Sequence, residues 1–309
     1  MARRVDVAIS VYGKPFQTAV TLASLFENCG SLIDKVYFQE ELNQPHGTCP
    51  SRVAGAFPDQ AFIRYIPKRF LGWHANDPAK LSDTDYRQSI RYQYAWETTN
   101  KQKLFVTHND CLYSSDIIAG MLERIEGTQY SGVGLIGQCW NCPASTAGVC
   151  SRENYLAYSP TYDEVKVLIT THASARTEIA MIDPAHPVPL PECRLNEFAC
   201  LINLEACRLD VMPIGDVVPF AFMNLDTGTE WFRQLSFRGH RFLNWSHGFV
   251  HGPFSPKNNG HTADFDAIEY KQSEEKASQY LMQHYPEVSQ RLMNFGQSDC
   301  ASAGQPDVI

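Results

Sequence analysis

Apolar and polar positions change period several times along the chain, and each change marks an element. Val5 to Tyr12 is an apolar run interrupted only by Asp6 and Ser10, which predicts a buried strand. Past Gly13, Lys14 and Pro15 the spacing becomes helical, with Val20, Leu22, Leu25 and Phe26 marking a helix over Phe16 to Asn28. The same alternation continues. Strands are predicted over Leu32 to Phe38, Phe62 to Ile66, Leu104 to Thr107 and Val133 to Gly137. Helices are predicted over Asp83 to Thr99, where Arg87 and Arg91 share a face, and over Ser115 to Ile125, capped by Ser114 or Ser115. Strand and helix in turn imply an α/β protein: a mainly parallel central sheet flanked by helices, in a Rossmann-like arrangement.

The second half is less regular. Cys139 to Cys150 and the proline-rich Pro184 to Pro191 are loops, whereas Asn196 to Leu204 carries a helical composition. Phe220 to Asn224 is a short apolar segment, Glu230 to Phe237 a helix closed by Gly239, and Arg241 to Trp245 a strand. An amphipathic helix runs from Tyr270 to Tyr285. The expected organisation is one domain over residues 1–263, with a C-terminal helix and flexible tail over 264–309.

Composition narrows the partners. With 309 residues, 44% of them hydrophobic and 19% charged, the chain can bury a substantial core. A net charge of -8 argues against a general nucleic-acid binder, which needs a clustered basic face. No stretch reaches the roughly 18 apolar residues of an integral membrane segment, and the opening apolar run is too short for a signal peptide. A cytoplasmic location is the expectation. Ten cysteines are many for such a compartment, so metal ligation is weighed before disulfides.

Two clusters carry candidate chemistry. Leu104 to Thr107 ends in His108, Asn109 and Asp110, and open α/β sheets bind ligands just beyond the carboxyl ends of their strands. A His-x-Asp there is suited to a divalent cation and, through it, to a diphosphate; equally, Asn109 and Asp110 are good caps for a following helix. Cys139, Cys142, Cys150 and Cys193 are compatible with a structural Zn2+ site, with Cys200 or Cys207 as substitutes and scattered buried thiols as the alternative.

Ala8 to Pro15, followed by Thr21, Leu22, Ala23, Ser24 and Leu25, resembles the opening of family 2-like glycosyltransferases of the GT-A fold. In that family the first strand ends in a Pro-Val-Tyr-Asn type turn that cradles the nucleotide. Val11 and Tyr12 are retained here, with Ser10 in place of the proline and Gly13 in place of the asparagine. The segment ending in Asp110 resembles the family's Asp-x-Asp motif, whose carboxylates hold Mn2+ or Mg2+ on the donor diphosphate, and His108 stands in the first acidic position. Imidazole there favours softer divalent ions over Mg2+.

The resemblance continues through Asp226 to Arg233 and Gly239, like the acidic segment that supplies the general base, which implies that role for Asp226 or Glu230. It also implies that His251 completes the metal shell, with His247 as competitor. It spans Val5 to Pro253 and rests on the serial order of its motifs. The activity so implied is transfer of a sugar from a nucleoside-diphosphate sugar to an acceptor, metal-dependent and inverting, with Asn109 beside the donor. Arg91 is a candidate for the diphosphate, and Glu40, at the end of the second strand, for the ribose or base. Two alternatives remain at this stage: a zinc-stabilised binding protein with a decayed nucleotide-sugar pocket, and a nucleotidyltransferase. The second lacks the glycine-rich loop and following basic residue that cradle a triphosphate.

Overall fold

A computed structural model describes residues 4–174, 177–255 and 262–294. Its centre is a seven-stranded sheet formed by β1 (Val5–Val11), β2 (Ile33–Glu40), β3 (Phe62–Tyr65), β4 (Lys103–Thr107), β6 (Gly132–Ile136), β7 (Leu195–Asn203) and β8 (Phe242–Asn244). The strand order is β3-β2-β1-β4-β7-β6-β8. β5 (Cys111–Tyr113) and β9 (Phe249–His251) form a separate two-stranded sheet. In the large sheet β3, β2, β1 and β4 are mutually parallel, β7 runs antiparallel to both its neighbours, and β8 is parallel to β6.

Both faces of the sheet are covered, which explains why the early strands read as continuous apolar runs rather than as alternating ones. Val7, Ile9 and Val11 point into a core shared with the helix Pro15–Cys29, the helix Ile117–Ile125 and the C-terminal helices Ala267–His284 and Pro286–Asn294. Ala8, Leu104 and Val106 face the opposite core, built around Trp96, Trp231 and Phe232. Trp231 is fully buried. The C-terminal helix is anchored as well as packed: the Glu274 carboxylate accepts the backbone N–H groups of Phe16 and Gln17 at the start of helix Pro15–Cys29.

Several sequence expectations are corrected here. The Asp83 to Thr99 helix is two short helices, Thr84–Gln88 and Gln93–Thr98, broken where Tyr92 adopts φ 64°. The break separates the two arginines: Arg87 pairs with Glu97, while Arg91 swings toward Glu41. The segment expected as a helix over Asn196 to Leu204 is instead strand as far as Asn203, within β7 in mid-sheet, and only Leu204 begins a helical turn, Leu204–Cys207. Its Glu, Ala and Leu residues favour helix weakly in isolation, and pairing with β4 and β6 outweighs that preference. The short apolar segment Phe220 to Asn224 is a loop, and its Phe220, Ala221 and Phe222 pack into the second core. The cap of helix Ile117–Ile125 is Asp116, whose carboxylate accepts the Ala119 N–H, rather than a serine. The end of the tail, residues 295–309, lies outside the described residues.

Candidate active site

The parallel strands β1, β2 and β4 deliver their carboxyl ends to one edge of the sheet, and antiparallel β7 brings its first residues to that same edge. Thr107 pairs with Ala199, so Glu197 stands just beyond the end of β4, beside His108. After Asp110 the chain enters β5, not a helix, so Asn109 and Asp110 are not helix caps. Cys111 pairs with His251 of β9, and the Gly252 N–H donates to the Asp110 carbonyl. That pairing carries His251 across a large sequence separation to Asp110.

His108, Asp110 and His251 form a triangle. The Asp110 Oδ1 atom lies 3.5 Å from His108 Nδ1 and 3.2 Å from His251 Nε2, and the two ring nitrogens are 3.2 Å apart. Ligands about 2.1 Å from a shared cation have edges of about 3.0–3.4 Å, so this triangle has the dimensions of one coordination face. Oδ1 is also fully buried and accepts no well-formed hydrogen bond, facing only the two imidazole nitrogens, a setting that a cation shared by all three atoms would complete. The residues therefore fit a divalent ion with mixed nitrogen and oxygen preference. Among the described residues, no other cluster of His, Cys, Asp or Glu offers three such converging atoms.

The surroundings hold this face in shape. Glu197 Oε1 lies 3.2 Å from His108 Nε2, which leaves Nδ1 to face Asp110 and His251, the usual way a carboxylate orients a metal-binding imidazole. The Phe198 ring stacks on His251 with centroids 3.8 Å apart and meets His108 edge-on. Asp110 Oδ2 accepts from the Lys14 ammonium at 2.8 Å, and both side chains are almost wholly buried. Burial opposes ionisation of Asp110, but Lys14 and His251 outweigh it and hold the carboxyl well below the usual range. Burial likewise opposes ionisation of Glu197, yet Arg194 and His108 bring its pKa down to about 2. For His108, burial favours the neutral ring, and hydrogen bonds to Asp110 and Glu197 overcome it, raising the pKa.

This face opens on a cavity of about 620 Å³, of the size that takes a nucleotide-sized ligand. Tyr12, Trp73 and Arg91 line one side. The Arg91 guanidinium lies 4.1 Å over the Trp73 ring and donates to Glu41, and Tyr12 stacks on Phe70. Asp264, from the start of the C-terminal segment, receives both the Tyr12 hydroxyl and the Trp73 indole N–H. Asn109 lines the cavity and donates to Thr18. Asp226, also in the lining, is held by Arg194 at 2.8 Å and by Gln138 at 3.0 Å, and an exposed Trp140 contributes to the same lining.

The remaining expected residues fall elsewhere. Glu40 is turned away from the cavity into a pair with Arg64, and its neighbour Glu41 faces Ser10 and Arg91 instead. Glu230 sits on helix Thr229–Phe237, where it accepts from the Gln234 amide, outside the cavity lining. His247 packs on Trp245 and is not part of the triangle. Cys139, Cys142, Cys150 and Cys193 are free and neighbour one another, but no three of their sulfurs converge on a point. Burial pushes all four thiols up, Cys150 to about 12. Sequence reasoning did not single out Lys14, Arg194 or Glu197. For the latter pair the available signal was charge inside an apolar run, and it was obscured by reading the run as helix.

No protein-family model and no curated protein sequence matches the chain. Solved structures do. A mannosyltransferase from Pyrobaculum calidifontis, in complex with GDP-Man and Mn2+, is 14% identical, with a TM-score of 0.50 over 94% of this chain and 68% of that one. Mouse xyloside xylosyltransferase 1 is 13% identical at a TM-score of 0.43, covering 79% of this chain and 85% of its own. Glucosyl-3-phosphoglycerate synthase from Mycobacterium tuberculosis, in complex with Mn2+, UDP-Glc and phosphoglyceric acid, is 10% identical at 0.39, covering 78% and 69%. The structural neighbours over most of the chain are GT-A fold glycosyltransferases, and the chain has a GT-A-like α/β fold.

Proposed function

We propose that this protein is a glycosyltransferase that takes its sugar from a nucleoside-diphosphate donor with the help of a divalent metal, Mn2+ in preference to Mg2+. The observation that carries the reading is the His108, Asp110 and His251 triangle, its buried Oδ1 facing two imidazole nitrogens, at the carboxyl edge of a GT-A-like sheet and beside a nucleotide-sized cavity that both histidines line. A metal held by these three residues would neutralise charge developing on the leaving diphosphate. The chain's own groups do the rest. Tyr12, just past the end of β1, lines the cavity, whereas Val11, expected beside the donor, is buried in the core instead; Tyr12, Trp73 and Arg91 offer flat surfaces to a base or ribose. Glu41 supports that wall by fixing Arg91.

Asp226 is the carboxylate we assign as general base. Arg194, Gln138 and the Thr227 N–H fix its position in the lining of the cavity. A base that activates an acceptor hydroxyl for attack on the face opposite the diphosphate inverts the anomeric centre, so inversion is part of the proposal. The test is to mix purified protein with Mn2+ and a panel of nucleotide sugars that includes GDP-mannose and UDP-glucose. We expect binding and slow hydrolysis of at least one donor, lost in His251→Ala. Neither binding nor hydrolysis across the panel, with and without metal, would overturn the reading.

A further inference from the structure

Lys14 is the unexpected member of the site. It is 3% exposed, lines the cavity and adopts φ 54°, ψ 47°, a left-handed conformation that a lysine enters at a cost. The surroundings impose that conformation. Its N–H donates to the Tyr270 hydroxyl, its carbonyl receives both the N–H and the hydroxyl of Thr18, and Pro15 begins the next helix. Gly13 before it has φ 64° in a space so tight that a Cβ would come within 2.8 Å of Pro45 and 2.9 Å of Tyr270. Strands, helix start and C-terminal helix thus converge to aim one ammonium at Asp110 Oδ2. The strained turn thus keeps the ammonium both on Asp110 and in the lining of the ligand cavity.

Asp110 is therefore divided between two cations. Oδ2 belongs to Lys14, so only Oδ1 is free for a metal, and the carboxylate cannot bind it through both oxygens. A fixed positive charge also stands on the same carboxylate as any incoming divalent ion and repels it. The same charge attracts a diphosphate that enters the cavity. From this geometry, and resting on the metal-site reading above, we infer that Lys14 is a resident cation of the donor site: it weakens binding of the bare metal and supplies the diphosphate with a counter-charge of its own. Metal and diphosphate then bind best together, since the anion offsets the repulsion between the two cations. Lys14 is a binding and positioning residue whose removal acts in opposite directions on the two ligands. A merely structural lesion would weaken both.

The experiment compares wild type with Lys14→Gln, whose amide can still donate to Asp110 Oδ2, and Lys14→Arg, which keeps the charge. Folding is checked by circular dichroism. Free Mn2+ is followed by electron paramagnetic resonance, and GDP and UDP binding in EDTA by calorimetry. K14Q should bind bare Mn2+ at least tenfold more tightly than wild type and bind metal-free GDP or UDP at least threefold more weakly, while K14R stays with wild type on both. Equal Mn2+ affinity in K14Q and wild type, or loss of both affinities in K14Q with K14R unaffected, would overturn the inference. If wild type binds Mn2+ in a manner abolished by His251→Ala but K14Q changes nothing, only the role of Lys14 fails. If wild type binds no Mn2+ with either nucleotide, the metal-site reading fails with it.

Discussion

Asp110 invites an obvious substitution, to asparagine, as a test of metal binding, and the ion pair with Lys14 predicts that this test will be confounded by stability. The pair is 2.8 Å long, with side-chain exposures of 4% and 1%. Removing one partner of such a pair leaves a buried, uncompensated charge and costs about 3–5 kcal/mol, whereas replacing both by neutral groups of similar volume is close to neutral. Asp110→Asn and Lys14→Met should each lose about 3–5 kcal/mol, against a total stability on the order of 5–15 kcal/mol. The double variant should lose at least about 3 kcal/mol less than the sum of the singles. Urea unfolding followed by circular dichroism, in EDTA, measures all three. Singles that add to within about 0.5 kcal/mol of the double variant would refute the claim that these two charges are each other's principal partners.

His251→Ala leaves that ion pair intact, so it should abolish Mn2+-induced thermal stabilisation while lowering metal-free stability by only about 1 kcal/mol, read by thermal melts with and without Mn2+. An unchanged Mn2+ effect would remove His251 from the site. Glu197, ordinarily near 4.5 and brought to about 2 in the fold despite burial, contributes stability that is present above about pH 4.5 and lost as pH falls through about 2. The melting-temperature gap between wild type and Glu197→Gln should accordingly be widest near neutrality and shrink below about pH 4.5, and a gap independent of pH would contradict the assignment. Gly134 lies in mid-sheet, where an added Cβ would come within 2.5 Å of the Cys200 Cβ and 3.1 Å of the Ala199 carbonyl. Gly134→Ala should cost about 1–3 kcal/mol by overpacking, measurable by urea unfolding, and a neutral result would mean that β6 can shift away from β7.

The first half of the fold was legible in the chain because its periods are strong and its contacts local. β1, β4 and β6, the helix Pro15–Cys29 and the motif ending in Asp110 all follow from apolar runs of the right length with turn residues between them. The order of Tyr12, His108, Asp110, Asp226 and His251 along the sequence was enough to suggest a donor pocket, and three of the residues so marked, His108, Asp110 and His251, meet in space. Glu40 was named from its place at the end of a strand and Glu230 from the resemblance, and neither lines the cavity: Glu40 turns to Arg64 and Glu230 to Gln234.

What the sequence determined by itself was therefore the alternation of strands and helices and the types of side chain at the ends of the strands. Tertiary structure decided which of those side chains face one another. The antiparallel insertion of β7 brought Glu197 and Arg194 to the edge, and the pairing of β5 with β9 brought His251 to Asp110. The strained turn at Lys14 set a cation on the carboxylate. None of these is encoded in a local period, because each depends on hydrogen bonds and packing between segments far apart in the chain. Local propensity, worth tenths of a kcal/mol per residue, yields to them.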